Sequence, residues 1–489
     1  MSYNYYALHT HMLAGGVKIV VENLIRSFDH QESSKKPKLH VIEPGDQGKY
    51  FPPRKINHIT SKKVGVFDTQ FSSRREFLDA SDALAKNLEK QMDLSKLCVL
   101  HAHNANLFFN PALARGIKIL AERFPKNLLV LMQVHDFAED NRPDRLEFLK
   151  SFTGKRDLKL SRSVGFPTLG NIVYLTINSR DEYILKKAGM SAEKVFYFPN
   201  SIHIKQFEQK PIKNNYLLER IENYAKDEGY TFDKTRKILL YPVRVIKRKN
   251  IAEAILLLNI MNYIKDEYQL LITLDSDIAV EDDYATLIKK YVKENKLPVT
   301  IGLGLKLISS NGKRKKDTTG KINQHTLADL LYHTHCIIST SVIEGFGFVF
   351  LEGWLSGKQI VGRKLDFVMR AFEKEGMNFP GFYKRLMVGG RDFSKHDLEK
   401  QLTLLGEVDF ASLIKRKNIK KLAKLIANPN LELIKNNKIV VEEKYSLKEY
   451  NLRLNQIIKD GKKLMKKENN PDLSFSTKYI VRRFKQKNK

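Results

Sequence analysis

The stretch 337–361, IISTSVIEGFGFVFLEGWLSGKQIV, constrains the fold of this chain more than any other. It begins with a β-branched run typical of a buried strand, turns at Gly345-Phe346-Gly347 and continues as an apolar segment of helical length. A tight glycine turn between a strand and a helix leaves unpaired N–H groups beside the positive end of the helix dipole. The pattern therefore predicts an anion site whose ligands are backbone amides.

Two carboxylates flank this turn, Glu344 directly before it and Glu352 within the predicted helix. Because like charges repel, a carboxylate beside a phosphate cradle is better suited to accept hydrogen bonds from sugar or ribose hydroxyls. The combination of glycines and two hydroxyl acceptors indicates a nucleotide-sugar site. The alternative is an ordinary strand–turn–helix with two solvated glutamates, since two glutamates eight residues apart are common by chance.

The segment EGFGFVFLE resembles the Glu-x7-Glu signature of retaining glycosyltransferases of the family-four type, also called glycosyl transferases group 1. The resemblance implies an α/β protein with the GT-B fold, in which two Rossmann-like domains face a central cleft and a C-terminal helix crosses back. It also implies that Glu344 contacts the donor sugar and Glu352 the ribose. The amides of Gly345, Phe346 and Gly347 would lie beside the diphosphate.

Length and composition predict a two-domain globular protein, because 489 residues exceed what one hydrophobic core usually organises. Cys98 and Cys336 are far apart in apolar runs, which argues against a disulfide framework or a zinc site and fits a reducing compartment. We see no signal peptide and no apolar stretch near the ~20 residues that a membrane-spanning helix needs. We expect a cytoplasmic protein.

The formal net charge of +30 reflects either the general composition of the proteome or the binding of an anionic partner. Lysines are spread along the whole chain, as in a lysine-rich proteome, whereas anionic lipid, nucleic acid and a phosphorylated substrate are the functional alternatives. Aromatic residues lie mostly in apolar periodic runs and are not interleaved with basic residues as a base-stacking surface would require. We do not expect specific binding of nucleic acid.

The first 200 residues alternate strand-like and helix-like segments, the pattern of a parallel α/β domain. Gly15 and Gly16 lie between a predicted strand at 3–9 and a predicted helix at 17–28. Paired glycines at this place fit the close approach of a phosphate or sugar, although a plain strand-to-helix turn uses glycine too. They resemble the N-terminal loop of the same family, which contacts the donor phosphate and the acceptor.

A histidine follows the strand predicted at 128–134, where ligands of open α/β sheets bind. This residue, His135 in QVHDFAED, resembles the family histidine that lines the catalytic cleft beside the donor sugar. His9, His11 and His103 also lie near predicted strand ends and are weaker candidates. A lone histidine is more often structural.

The second α/β unit begins with a strand at 237–241, followed by PVRVIKRKN. Two cations between a strand and a helix can clamp a diphosphate. The resemblance assigns to Arg244 and Lys249 the neutralisation of the leaving nucleoside diphosphate. Lys247 and Arg248 leave the assignment open, since any of the four could be a solvated surface charge.

The sequence Asp275-Ser276-Asp277 matches the metal-binding Asp-x-Asp of the other large glycosyltransferase fold, GT-A. It follows a strand but lies between the basic segment and Glu-x7-Glu, so we expect a solvent-facing loop. No essential metal or other cofactor is expected besides the nucleoside-diphosphate sugar as co-substrate.

At the C-terminus, Ser446 and Glu449 form a predicted capping box. The tail that follows carries ten Lys or Arg residues and is either an anchor on an anionic membrane surface or a disordered solubilising segment. An exposed basic loop is predicted at 309–323, and 362–366 is predicted as a strand end facing the cleft. The predicted organisation is an N-terminal acceptor-side domain (1–202), a linker (203–236), a nucleotide-sugar domain (237–440), a crossover helix (441–460) and a basic tail (461–489).

These observations lead to one principal hypothesis: a retaining glycosyltransferase that moves a hexose-type sugar from a nucleoside-diphosphate donor to an acceptor hydroxyl. The alternatives are a nucleotide-sugar epimerase of the same fold and a non-catalytic basic module that binds nucleic acid or membrane. The candidate catalytic residues are His135, Glu344, Arg244 and Lys249, and the candidate donor-binding residues are Gly15, Gly16, Gly345, Phe346, Gly347 and Glu352.

Overall fold

The computed structural model describes residues 3–12, 16–32, 36–45, 56–66, 71–140, 164–208, 210–275, 283–309, 312–466 and 475–485. The chain forms two compact units, one made of Met1–Ser201 with Tyr445–Lys489 and the other of Ile202–Lys444. The acceptor-side and donor-side roles assigned to the two halves stay predictions.

The first unit is built on a seven-stranded sheet whose strands all run parallel. The strand order is β3-β2-β1-β4-β5-β6-β7, so the order reverses between β1 and β4. Every residue of β4, β5 and β6 is buried, because helices cover both faces of a parallel sheet. The strands are β1 Asn4–Leu8, β2 Lys38–Glu43, β3 Asn57–Thr60, β4 Cys98–His103, β5 Leu128–Val134, β6 Ile172–Thr176 and β7 Val195–Tyr197.

The helices of this part begin at residues that can cap them. The Ser73 side chain accepts a hydrogen bond from the first turn of the second helix, and Asn110 and Asn178 do the same for the next two. The third helix begins at Pro111, because Asn110 caps it and a proline suits the first helical position. The helices are α1 Gly16–Ser27, α2 Arg74–Gln91, α3 Pro111–Arg123 and α4 Ser179–Lys187.

The second unit repeats this plan with a six-stranded parallel sheet. Its order is β10-β9-β8-β13-β14-β15, so the reversal lies between β8 and β13. Two short antiparallel pairs, β11–β12 and β16–β17, are additional. The strands are β8 Lys237–Arg244, β9 Tyr268–Leu274, β10 Val299–Ile301, β11 Lys315–Lys316, β12 Ile322–Gln324, β13 Thr334–Ser339, β14 Gln359–Arg363, β15 Phe382–Tyr383, β16 Met387–Val388 and β17 Arg391–Asp392.

The helices of the second unit surround this sheet. The central one, α6, is apolar on nearly all sides and almost wholly buried. The helices are α5 Tyr216–Asp227, α6 Ile251–Ile264, α7 Asp283–Glu294, α8 Gly304–Leu307, α9 Leu327–His333, α10 Phe348–Leu355, α11 Asp366–Lys374, α12 Leu398–Glu407, α13 Phe410–Leu413, α14 Lys417–Ala427 and α15 Leu431–Lys444.

The region predicted as an exposed basic loop, 309–323, contains β11 and the start of β12 instead. Its shape is set by Arg314, whose guanidinium donates two hydrogen bonds, of 2.7 and 3.0 Å, to the buried carboxylate of Asp329. The same carboxylate accepts from the backbone of Thr326 and so caps α9. Sequence reasoning missed this hairpin because its residues are charged and show no apolar alternation.

The chain returns to the first unit in helix α16 (Leu447–Leu464). The Ser446 hydroxyl accepts a hydrogen bond from the Glu449 N–H at 3.3 Å, which is one half of the predicted capping box, and the Glu449 carboxylate accepts from Arg453 Nε at 2.9 Å. The helix runs four residues beyond the predicted boundary at 460, because buried Gly461 and Leu464 continue its apolar face. The C-terminal helix that crosses back is therefore confirmed.

The described part of the tail is a further helix, α17 (Thr477–Lys485), which also belongs to the first unit. Ile480 is fully buried there, and the Phe475 ring lies 5.7 Å from that of Phe166. Hydrophobic packing within the first unit therefore orders this segment. The sequence predicted either a disordered segment or a membrane anchor. No helix within the described residues has both the length and the apolar character needed to cross a membrane. Peripheral membrane association stays a prediction.

Candidate functional site

The strongest cluster of chemistry-bearing residues lies at the reversal of strand order in the second unit. In open parallel sheets the loops after such neighbouring strands diverge to opposite faces and leave a crevice for a ligand. Here the loop after β8 carries Lys249 and the loop after β13 carries Glu344. A backbone hydrogen bond of 2.9 Å from Val342 N–H to the Arg248 carbonyl joins the two loops.

Lys249 and Glu344 form a buried ion pair, in which the Lys249 ammonium donates to Glu344 Oε1. Arg248 Nη1 lies 3.5 Å from Glu344 Oε2. Burial lowers the pKa of Lys249 despite the attraction of Glu344. Burial also acts to raise the pKa of Glu344, but the charges of Lys249 and Arg248 outweigh it and bring the pKa below its ordinary value. Sequence reasoning predicted both residues, but not their contact.

Hydroxyl groups at the ends of the two strands hold the backbone of Lys249. Its carbonyl accepts hydrogen bonds from the Tyr241 hydroxyl at 2.8 Å and from Thr340 Oγ1 at 3.2 Å. The Tyr241 hydroxyl also lies 2.8 Å from Ser341 Oγ. Sequence reasoning missed these three residues; the position of Thr340 and Ser341 directly after β13 was the signal that could have found two of them, whereas Tyr241 lies within β8.

The other cations of the basic segment occupy different environments. Arg244, the last residue of β8, is half-buried, and its charge helps to lower the pKa of Lys249. Lys247 and Arg248 are exposed, and only Arg248 of these two has a described contact with Glu344. The charges of Arg244 and Arg248 thus both act on Lys249, while the predicted binding of a diphosphate by Arg244 and Lys249 stays a prediction.

The glycine turn after Glu344 leads into α10 as predicted. Gly347 has φ of +90°, and a Cβ there would lie 2.7 Å from the ring of Phe350, so a side chain is excluded on two grounds. Phe346 is buried, with its ring 5.5 Å from that of Phe372. In the described structure no side chain caps α10 and no acidic residue lies in its first turn. Its first N–H groups are therefore suited to an anion.

Glu352 lies in α10, one to two turns from the glycine turn. Removal from water raises the pKa of its carboxyl group to about 7. A carboxyl group with this pKa can accept or donate a hydrogen bond near neutral pH, and a ligand hydroxyl that donates to it favours the ionised form. Its predicted contact with a ribose stays a prediction.

In the first unit, His135 follows β5 and is buried. Its Nε2 lies 3.1 Å from His103 Nδ1, and its backbone N–H donates to Asn104 Oδ1 at 2.9 Å. The carbonyl of His103 is in turn 3.0 Å from His9 Nδ1. Of the weaker candidates, the structure therefore joins His9 and His103 to His135.

Two further rings complete this histidine group. His11 lies beside His9, with ring centroids 4.6 Å apart, and the unpredicted His101 stacks on His103 at 4.3 Å. Burial lowers the pKa of His135 to about 3 and that of His9 to about 4. At neutral pH His135 is therefore an uncharged hydrogen-bonding group. It can position a sugar hydroxyl but cannot supply a positive charge.

The structure adds little evidence on the two candidate donor-binding glycines of the N-terminal loop, Gly15 and Gly16. Gly16 is the first residue of α1, and a Cβ there would meet no atom within 4 Å, so packing does not explain this glycine. Gly15 lies outside the described residues, and the role of both in phosphate binding stays a prediction.

The Asp-x-Asp segment is only partly described. Asp275 is exposed and accepts a hydrogen bond from Lys289 Nζ at 3.0 Å, whereas Ser276 and Asp277 lie outside the described residues. Across the described part of the chain, no three His, Cys, Asp or Glu side chains converge as a metal-binding group.

One named relative aligns with much of the chain, although no family model matches. Mannosylglucosyl-3-phosphoglycerate synthase of Petrotoga mobilis is 29% identical over 370 residues. The match covers 75% of this chain and 66% of that relative, just under two thirds of its length.

Solved structures share the fold at low sequence identity. A glycosyltransferase from Rickettsia africae superposes with a TM-score of 0.53 and 16% identity, over 96% of this chain and 100% of its own. Anabaena HepE, solved in complex with UDP and glucose, gives 0.53 and 12% identity, over 93% of this chain and 99% of its own. Together with the two parallel sheets, these similarities confirm the predicted α/β, GT-B fold.

The raised pKa of Glu352 predicts a pH dependence of stability. The ordinary value for glutamate is 4.5, so between about 4.5 and about 7 the unfolded chain loses this proton while the folded chain keeps it. The contribution of Glu352 therefore lowers the free energy of unfolding as pH rises through this window, and it is constant above and below it. Glutamine has no proton to lose, so the free energy of unfolding of Glu352→Gln should rise relative to that of wild type as pH increases. We expect this relative rise to be roughly 1–2 kcal/mol between about pH 5 and about pH 8, allowing for partial exposure of Glu352.

Urea unfolding at the two pH values measures this difference. Glu219→Gln, at an exposed glutamate of α5, is the matched control and should follow wild type. Parallel stability curves for Glu352→Gln and wild type would contradict the assigned environment of Glu352.

Proposed function

We propose that this chain is a retaining glycosyltransferase of the family-four type that moves a hexose-type sugar from a nucleoside-diphosphate donor to an acceptor hydroxyl. The observation that carries the proposal is the buried Lys249–Glu344 pair beside the uncapped start of α10. A cation beside a helix start that has no side-chain cap and no acidic residue in its first turn suits a diphosphate, and the adjacent carboxylate suits sugar hydroxyls.

The predicted residues other than Gly15 and Gly16 receive roles in this proposal. Lys249, Arg244 and the amides of Gly345–Gly347 stabilise the negative charge that grows on the leaving diphosphate. Glu344 accepts a hydrogen bond from the donor sugar, while its Oε1 accepts from Lys249 and its Oε2 lies 3.5 Å from Arg248 Nη1. Glu352 accepts from the ribose. Electrostatic stabilisation of this kind is strongest where charged groups are removed from water, as the burial of Lys249 and Glu344 favours.

The proposed reaction needs neither a nucleophile from the protein nor an essential metal. The acceptor oxygen bonds to the anomeric carbon on the face from which the diphosphate departs, the bond from that carbon to the phosphate oxygen breaks, and the departing phosphate takes the acceptor proton. Neutral His135 orients a sugar hydroxyl. Front-face retention is inferred from the resemblance to the family-four enzymes.

The relatives suggest which ligands to test first. The Petrotoga protein is named for a product in which mannose and glucose are joined to 3-phosphoglycerate, and HepE was solved with UDP and glucose. We therefore propose a uridine nucleotide sugar as donor and a phosphorylated hydroxy acid or its glycoside as acceptor. The net charge of +30 supports an anionic acceptor.

A thermal-shift screen of nucleoside diphosphates and their sugars, with and without magnesium, tests donor binding. A ligand at one hundred times its Kd stabilises the fold by about 2.7 kcal/mol, which gives a measurable rise in Tm. We expect a hit with one base that is independent of magnesium. A hit only with magnesium would return attention to Asp275 and Asp277, and no hit at all would favour a non-catalytic basic module.

Site variants test the proposed roles. We expect Lys249→Ala to lower kcat about 100-fold or more, because an electrostatic partner of the transition state is lost. We expect Glu352→Ala to raise the donor Kd about tenfold, because hydrogen bonds to a charged group contribute about 1.5–3 kcal/mol. Lys247→Ala is the matched control, an exposed cation of the same loop, and should keep wild-type values.

Product analysis and Tm complete this experiment. Glycoside formation that requires the acceptor distinguishes transfer from epimerisation of the donor sugar. The Tm of each variant shows whether it folds, since Lys249→Ala leaves Glu344 buried without its main partner. Wild-type kcat in Lys249→Ala together with wild-type Kd in Glu352→Ala would contradict the site assignment.

A further inference from the structure

The helix that begins two residues after Lys249 carries a buried carboxylate in its first turn. Glu253, in the first turn of α6, is fully buried. Its carboxylate accepts hydrogen bonds from Arg363 Nε at 2.9 Å and Nη2 at 2.6 Å, from the Tyr383 hydroxyl at 2.6 Å and from Asn250 Nδ2 at 2.8 Å. Four donors saturate this group, so it is placed to hold the protein rather than a ligand.

The main partner of Glu253 is Arg363, the last residue of β14. The sequence predicted 362–366 as a strand end facing the cleft; β14 does end at Arg363, but only 6% of Arg363 is exposed. Its guanidinium also donates to both carboxylate oxygens of Asp392, at 2.8 and 3.1 Å. Two carboxylates thus bind one guanidinium bidentately, the arrangement that gives such pairs their directional strength.

Asn250 connects this buried pair to Lys249. It follows Lys249 directly and has φ of +51°, a left-handed conformation that asparagine adopts more readily than most residues. Its side chain donates to Glu253, and its carbonyl and that of Lys249 both accept from Thr340 Oγ1. The peptide between Lys249 and Asn250 is therefore held by side chains from two other segments.

We propose that Asn250, held by Glu253 and Arg363, is a positioning residue that directs the Lys249 ammonium to Glu344 and to the leaving diphosphate. The inference rests on the proposed function of Lys249. Asn250 acts through the backbone and touches neither Glu344 nor the diphosphate. A displacement of about 1 Å in a group that stabilises a transition state can cost about 100-fold in rate.

The test compares two variants that each remove one hydrogen bond to Glu253. In Asn250→Gly, glycine keeps the left-handed backbone but loses the bond to Glu253, together with longer bonds of 3.4 Å to the Thr340 carbonyl and from Gln401 Nε2. In Tyr383→Phe, the lost hydroxyl lies on the same carboxylate but has no described link to Lys249. Asn250→Asp is a third variant, which keeps the side-chain size and the backbone preference and places a carboxylate against Glu253.

We expect Asn250→Gly to lower kcat about 10- to 100-fold with a donor KM changed less than about threefold, because the transition-state interaction is lost. Asn250→Asp should lower kcat at least as much. Tyr383→Phe should lower Tm by a similar amount but keep kcat within about threefold of wild type. A merely structural role of Asn250 predicts instead that kcat follows Tm in all three variants, and that result would overturn the inference.

Lys249→Ala, measured alongside, separates this inference from the proposed function. Wild-type kcat in Lys249→Ala would overturn both. A loss of kcat in Lys249→Ala with wild-type kcat in Asn250→Gly would overturn the positioning role alone and leave the proposed function standing.

Discussion

The buried ion pair between Lys249 and Glu344 is the interaction on which the candidate site depends. Either charge alone would be costly at this depth, so each makes the burial of the other tolerable. The parallel sheet brings Lys249 and Glu344 together, because β8 and β13 are neighbouring strands and the loops that follow them are in contact. The pair also keeps a cation and a carboxylate in defined places before any ligand arrives, as electrostatic catalysis requires.

The two units use the same topology for different chemistry. In each sheet the strand order reverses beside the first strand of the unit, and chemistry-bearing side chains follow the strands next to that point. The first unit gathers uncharged histidines around His135, which suit hydroxyl groups. The second unit gathers cations and an uncapped helix, which suit phosphate.

Local patterns were enough to predict much of this arrangement. β-branched and apolar runs located β8, β13 and α10, because buried parallel strands and a tight glycine turn leave strong local signals. The Glu253–Arg363 pair could not be predicted this way, since its members are 110 residues apart in sequence and nothing local marks their contact. The β11–β12 hairpin was missed for a related reason: a charged pair, Arg314 with Asp329, holds it in place of an apolar pattern.

The most direct test of the central claim is a crystal structure of the chain with a nucleoside diphosphate, grown without magnesium. We expect the phosphate groups at the N–H groups of Gly345–Gly347, with Lys249 Nζ about 3 Å from a phosphate oxygen. We also expect the ribose hydroxyls at Glu352. A nucleotide bound elsewhere, with the Lys249–Glu344 pair unchanged and α10 free of phosphate, would contradict the account.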